Sequence, residues 1–210
     1  MIKVFTFNAF SENTYILYDE TKEAVIIDPG CYDAMEQKKL TDFIAQNRLK
    51  VVRLLNTHCH VDHVAGNPLV VEKYGVGLEI HKHDLSVLKN AVAAGLRWGF
   101  PIPEQPEPSR FIDDNEEISF GNTKLKVILA PGHSPGSICF YNVEEKYLIG
   151  GDVLFYGSIG RTDLPGGNHE QLLTSITTRL MVLPDDIKVY SGHGPATTIG
   201  RERASNPFLI

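Results

Sequence analysis

Residues 54–66, LLNTHCHVDHVAG, place His58, His60, Asp62 and His63 within six positions, directly after an apolar run. Imidazole nitrogens and carboxylate oxygens are the donors that zinc and iron accept, so the stretch reads as a metal-ligand segment. At a strand end, His58 and His60 can both turn toward one ion once the backbone curls. Asp62 and His63 open the next helix, where neighbouring side chains diverge by about 100°. They therefore serve a second centre, displaced from the first. One HxH pair would carry little weight alone, but the pattern recurs. VILAPG leads into His133, YLIGG into Asp152 and KVYSG into His193, each preceded by glycine. Loops at strand ends of one sheet converge on a common rim, where layered α/β proteins place their sites. Two adjacent ions need roughly seven or eight ligand contacts. His58, His60 and His133 supply one ion, Asp62, His63 and His193 the other, and Asp152 is left to bridge them.

The elements that must position these groups follow from periodicity. IKVFTF, NTYILY and EAVIID are short β-branched or aromatic runs ending at turn formers, and each predicts a strand. DAMEQKKLTDFIAQNR carries Leu40, Phe43 and Ile44 at helical spacing. VVRLLN is a buried strand feeding the histidine cluster. Residues 63–74 and 83–94 are expected as helices, with GLEI a short strand between them. EISF, KLKVILA, ICFYNV and KYLIGGD are further strands, and residues 157–168 form a Gly-rich loop. A helix with Leu173, Ile176 and Leu180 on one stripe precedes a last strand, IKVYSGHGP. Two β-rich halves with helices to cover them predict an α/β layered sandwich, with residues 1–210 as a single domain. Residues 98–108, WGFPIPEQPEP, hold four prolines and the sole tryptophan, and are expected as an ordered surface loop.

Composition narrows the function classes. The net charge of −6 offers no basic face for nucleic acid or an anionic membrane. No apolar stretch approaches the ~18 residues of a membrane span, and the amino terminus lacks the pattern of a secretory signal. Three cysteines, odd in number and without metal spacing, suggest reduced thiols and a cytoplasmic setting. His81 and His83 form a second HxH, but no later strand end brings partners to it, so surface or packing roles are expected. His169 is expected as a helix-cap or surface group. Cys59 should point away from its flanking ligands and pack. Trp98 and Phe100 either line a pocket mouth or anchor their loop to the core.

THCHVDH together with GHSPGS, GGD and SGHGP resembles the metallo-β-lactamase superfamily. GDVLFYGSIGRTDLPGGNHEQLLTSI, residues 151–176, is similar to the short glyoxalase II-like hydrolases, or hydroxyacylglutathione hydrolases. The resemblance runs from NTYILY to GHGP. It implies a four-layer αβ/βα sandwich, the same seven metal ligands, and two Zn²⁺ per chain, with iron or a mixed pair as variants. It implies hydrolysis of S-lactoylglutathione or a related small-molecule thioester, with Asp62 both a ligand and the group that orients the attacking water. Arg161 matches a basic residue that lies near the substrate carboxylate in the longer enzymes; the competing reading is a salt bridge with Asp163. Those longer enzymes bind glutathione through a carboxy-terminal helical region, whereas 17 residues follow His193 here. The runner-up activity is that of the persulfide dioxygenases, which share the histidine motifs and use one iron. Lactamase or lactonase activity ranks lower, and a non-catalytic binding module lowest. A monomer or homodimer is expected.

Overall fold

The computed structural model describes all residues 1–210. Six strands form the first sheet in sequence order: β1 (Ile2–Phe7), β2 (Glu12–Tyr18), β3 (Glu23–Ile27), β4 (Lys50–Leu55), β5 (Leu78–Ile80) and β6 (Pro108–Phe111). β1, β2 and β3 pair antiparallel, whereas β3 to β6 run parallel. The parallel crossovers hold α1 (Ala34–Gln46), then α2 (Val61–Val64) and α3 (Asn67–Tyr74), then α4 (Leu85–Arg97). The second sheet is built from β7 (Glu117–Phe120), β8 (Thr123–Leu129), β9 (Ile138–Asn142), β10 (Tyr147–Gly151), β13 (Lys188–Ser191) and β14 (Thr197–Thr198). A two-stranded ribbon, β11 (Leu154–Phe155) with β12 (Ser158–Ile159), leaves its rim. α5 (His169–Ser175) and α6 (Ile199–Ser205) complete the chain.

Alternation along the strands explains the layering. In β3, Val25 and Ile27 face the second sheet, while Ala24 and Ile26 face the helices. In β9, Ile138 and Phe140 enter the same inter-sheet layer, and Cys139 and Tyr141 turn to the opposite side. Both faces of both sheets are thus apolar, the near-continuous hydrophobic pattern of strands covered on two sides. α1, α3 and α4 cover the first sheet through Leu40, Ile44, Val70 and Leu88. Leu172, Ile176, Leu180 and Ile199 cover the second. The four layers of the expected αβ/βα sandwich are present.

Local departures from the sequence reading have local causes. The helix expected over 63–74 is two helices broken at Ala65–Gly66. A Cβ at Gly66 would meet Cys31 Sγ at 2.5 Å and the Pro29 carbonyl at 2.7 Å, so the backbone passes too close for any side chain. The stripe on the helix after residue 168 is Leu172–Ile176–Leu180, not Leu173–Ile176–Leu180. It continues past Ser175 in a wider turn, with Met181 N–H donating to the Ile176 carbonyl at 2.8 Å. Strand β6 begins at Pro108 inside the proline-rich loop, at the sheet edge, where a missing N–H costs nothing. The Gly-rich stretch contains β12.

Phe140 is fully buried between the sheets. Phe140→Ala should cost roughly 3–5 kcal/mol, the range for truncating a core phenylalanine. Urea unfolding of the metal-loaded protein reads this as a lower midpoint at an unchanged slope.

Candidate metal centre

β4, β8, β10 and β13 end on one rim, and the two sheets are stitched together there. Asn13 N–H donates to the Gly192 carbonyl at 2.7 Å, and Tyr15 Oη to the Ser191 carbonyl at 2.6 Å. Ile138 N–H reaches across to the Thr57 carbonyl at 2.9 Å. The loops after the strands therefore have fixed spacing. They bring His58, His60 and His133 into one group, and Asp62, His63 and His193 into another, with donor atoms within 4.8 Å of one another in each. Asp152 lies between the groups: Oδ2 is 3.6 Å from His133 Nε2 and 3.5 Å from His193 Nε2, and Oδ1 is 3.5 Å from His63 Nε2. A third trio, Asp28 with His58 and His63, meets the same distance limit, but Asp28 is already spent on hydrogen bonds described next.

Those hydrogen bonds set the tautomers. His133 Nδ1 lies 2.8 Å from the Arg161 carbonyl, which can only accept, so Nδ1 carries the proton. Thr57 Oγ1 donates to Asp28 Oδ2 at 2.6 Å and must then accept from His58 Nδ1 at 3.0 Å. The Nε2 lone pairs of His58 and His133 consequently face one another at 3.2 Å, with His60 Nδ1 2.8 Å from His133 Nε2. Burial, reinforced by the neighbouring imidazoles, pushes the His58 pKa well below its ordinary value and that of His60 down to about 3. His60 can donate Nδ1–H to His133 Nε2, but the His58 and His133 lone pairs, each fixed by its own Nδ1 bond, repel unless a cation lies between them.

The second group is arranged differently. His63 Nδ1 donates to Asp28 Oδ2 at 3.1 Å and His193 Nδ1 to the Phe10 carbonyl at 3.0 Å, which aims both Nε2 atoms at the carboxylates. Asp62 Oδ2 is 3.2 Å from His193 Nε2 and 3.6 Å from His63 Nε2. Burial disfavours both imidazolium ions. The carboxylates outweigh it, holding the His63 pKa well above the ordinary value and that of His193 at about 9. Burial also opposes ionisation of Asp152, yet His63 and His193 hold its carboxyl well below the usual range. Asp152 Oδ1 is buried without a hydrogen-bond partner. An orphaned carboxylate oxygen among imidazole nitrogens suits a metal ion, so the residues fit the implied metals.

Three buried acids that sequence reasoning passed over hold the ligands in place. Asp28, in a left-handed backbone turn, ties Thr57 and His63. Asp84 accepts from Cys59 N–H, Gly136 N–H and Ser134 Oγ, joining the His58–His60 loop to the His133 loop. Glu12 lies fully buried behind His63, with its Oε1 4.0 Å from His63 Nδ1. A signal for Asp28 existed in EAVIIDPG, an acid set directly against a buried strand.

The remaining polar groups fall where packing puts them. Cys59 is buried in the core with its thiol pushed well up by burial and then by Asp84. His81 is buried and caps a tight turn, accepting from His83 N–H, and neither joins a metal-type group. Asn168 caps α5, its amide carbonyl oxygen accepting from Gln171 N–H at 2.9 Å, and His169 is an exposed surface group. Phe100 is buried against Phe10 and Tyr32, whereas Trp98 is half exposed, so the aromatic pair divides between the two expected roles. A cavity of about 910 Å³ opens over the metal-type groups, lined by Trp98, Tyr156 and Arg161 among others. Arg161 forks onto Asp163 with two 2.7 Å hydrogen bonds, and its guanidinium lies 5.6 Å from the centre of the Trp98 ring.

His133→Ala and Asp152→Ala should each reduce bound metal, and Asp28→Asn should cost about 10–100-fold in metal affinity through lost imidazole orientation. His81→Ala should leave metal content unchanged. Metal analysis after dialysis against a graded chelator distinguishes these outcomes. The raised His193 pKa has a pH signature in the metal-stripped protein. Its stabilising contribution is complete below the unfolded value near 6.5 and disappears as pH rises through about 9. Stripped protein should therefore melt lower at pH 9.5 than at pH 6.5, a loss that bound metal abolishes by replacing the proton.

Residues 8–193 match the sequence model of the metallo-beta-lactamase superfamily. Hydroxyacylglutathione hydrolase GloC of Haemophilus influenzae is 38% identical, over 99% of this chain and 97% of its own length. Among solved structures, BLEG-1 B3 metallo-beta-lactamase superposes with a TM-score of 0.92 at 37% identity, covering 100% of both chains. TTHA1623 in a di-iron-bound form gives 0.89 at 37% identity, covering 99% of this chain and 100% of its own. Fold, strand-end histidines and overall likeness agree: the chain belongs to the metallo-beta-lactamase superfamily.

Proposed function

We propose that the chain is a binuclear metallohydrolase that cleaves thioesters in the manner of glyoxalase II, acting as one domain over residues 1–210 in a cytoplasmic setting. The observation that carries the reading is the pair of three-donor groups joined by Asp152, whose Oδ1 has no hydrogen-bond partner. His58, His60 and His133 would hold one ion and Asp62, His63 and His193 the other, with Asp152 between them. Zinc is the favoured metal on this donor set; the di-iron state of TTHA1623 makes iron the alternative to test. Bound there, two divalent ions supply Lewis acidity and lower the pKa of a water from 15.7 toward about 7.

The chain's own residues supply the rest. Burial works against an ionised Asp62, but His63 and then His193 hold its pKa below the ordinary value, so it acts as an acceptor. With Oδ2 turned to His63 and His193, Oδ1 is left to accept a hydrogen bond from the attacking water and orient it. Arg161 fixes His133 through its carbonyl and presents its guanidinium to the cavity. A substrate carboxylate would take the place of Asp163 on that fork. The thiolate leaves without strong acid assistance, so the absence of a dedicated proton donor is no obstacle to the reading. The name of the GloC relative supports the thioester class.

Purified protein should contain about two zinc or iron ions per chain and release thiol from S-lactoylglutathione. Nitrocefin hydrolysis and persulfide-dependent oxygen uptake are the two counter-assays. One iron per chain with oxygen uptake and no thiol release would overturn the proposal in favour of a dioxygenase. Nitrocefin turnover exceeding thioester turnover would replace it with a lactamase.

A further inference from the structure

We infer that Arg97, at the far end of α4, anchors an anionic group of the substrate remote from its reacting bond, with Trp98 beside it as a stacking surface; this rests on the thioesterase reading. α4 divides by face. At 100° per residue, Ser86, Val87, Asn90, Ala94 and Arg97 fall within one 100° arc, and all five line the cavity. Leu88, Ala91 and Gly95 fall outside it, on a separate arc of about 60°, and are the buried positions. One internal helix is therefore a long wall of the cavity.

The wall has a fixed origin. Asp84, immediately before α4, accepts 2.6 Å hydrogen bonds from Cys59 N–H and Gly136 N–H, next to the loops that carry His60 and His133. Arg97 lies thirteen positions farther on, about 20 Å along the axis at 1.5 Å per residue. A ligand whose reacting bond sits at the histidines and whose other end meets Arg97 lies along this wall. It must also be anionic there. Apart from Asp62 and Asp152 at the metal centre, no carboxylate lines the cavity, and its only other charged residues are Arg97 and Arg161. Arg161 is held by Asp163. Arg97 is exposed and forms no ion pair. An unpaired cation at this mouth, in a chain of net charge −6, would draw an anion to it.

Trp98 supplies both surface and reporter. It is 48% exposed at the cavity rim, with Phe10 at 6.1 Å between ring centres, and it is the sole tryptophan. The chemical class indicated is an acyl thioester of a thiol bearing a carboxylate remote from sulfur, with more than one carboxylate if Arg161 is engaged as well.

Binding is read by Trp98 fluorescence in the metal-loaded protein, using S-hexylglutathione and its diethyl ester, and compared for wild type, Arg97→Ala and Arg97→Lys. The free acid should bind wild type tenfold or more tightly than the ester. Arg97→Ala should weaken the acid about 10- to 100-fold, the worth of a charge-assisted hydrogen bond, and Arg97→Lys should restore part of it. With S-lactoylglutathione the loss should fall on KM rather than kcat. Equal affinity for acid and ester in wild type overturns the inference. So does an Arg97→Ala variant that binds both alike but melts lower, since a cation in the last turn also favours the helix's negative end. Failure to hydrolyse any thioester, with selective binding retained, overturns the catalytic reading and leaves Arg97 as an anion site.

Discussion

Seven acidic or imidazole side chains crowd one rim, and in the group of His58, His60 and His133 their own hydrogen bonds keep them from fully satisfying each other. His133 must give its Nδ1 proton to the Arg161 carbonyl, and His58 must give its own to Thr57. What remains on the inner side is lone pair against lone pair at 3.2 Å. A protein could relieve this by protonation, but burial pushes His58 and His60 away from the charged form. Neutral His60 can donate Nδ1–H to His133 Nε2, but that leaves the His58 lone pair facing it, and a cation from outside satisfies both without desolvated imidazolium ions. In the second group protons can stand in, because Asp62 and Asp152 stabilise them on His63 and His193. The two halves of the centre thus differ in how they tolerate metal loss, although Asp152 touches both.

Holding such a cluster together requires a rigid frame, and the sandwich provides it through its layer between the sheets. Tyr15 illustrates the economy of the design. Its ring is buried in that layer, while its hydroxyl donates to the Ser191 carbonyl beside His193. Asn13 on the same strand reaches the Ser191 and Gly194 carbonyls with its side-chain amide. β2 of the first sheet thereby positions a histidine delivered by the second. A shift of one sheet over the other would separate the ligand groups, so packing and metal geometry are one constraint.

The candidate metal ligands stood out because one simple signature recurs: an apolar strand, a glycine, then a histidine or aspartate. Each of His133, Asp152 and His193 fits it, and the structure brings all seven residues together. Periodicity also located both sheets' principal strands, since residues buried on both faces leave long apolar runs. What escaped was set by tertiary contact. Gly66 breaks a helix only because Pro29 and Cys31 pass within touching distance. β6 and β12 are short edge pieces with no pattern of their own. Asp28 and Asp84 are acids like any other in sequence, and become important only once burial removes water and leaves them as the sole acceptors for the ligand loops.

Helix α4 shows how one element can serve both packing and recognition. Its core face is made of small and branched residues, Leu88, Ala91 and Gly95, and Gly95 lets the Phe100 carbonyl approach to where a Cβ would stand. That approach folds residues 98–108 back along the helix and buries Phe100, while Trp98 is carried to the cavity side. The same turn that closes the core therefore exposes the sole tryptophan beside Arg97. Helix α4 lines one side of the cavity and is tied at Asp84 to the loops that carry His60 and His133. Were Arg97 to anchor a substrate tail as proposed, the length of α4 would set the reach of that tail while Asp84 kept the donor loops in place.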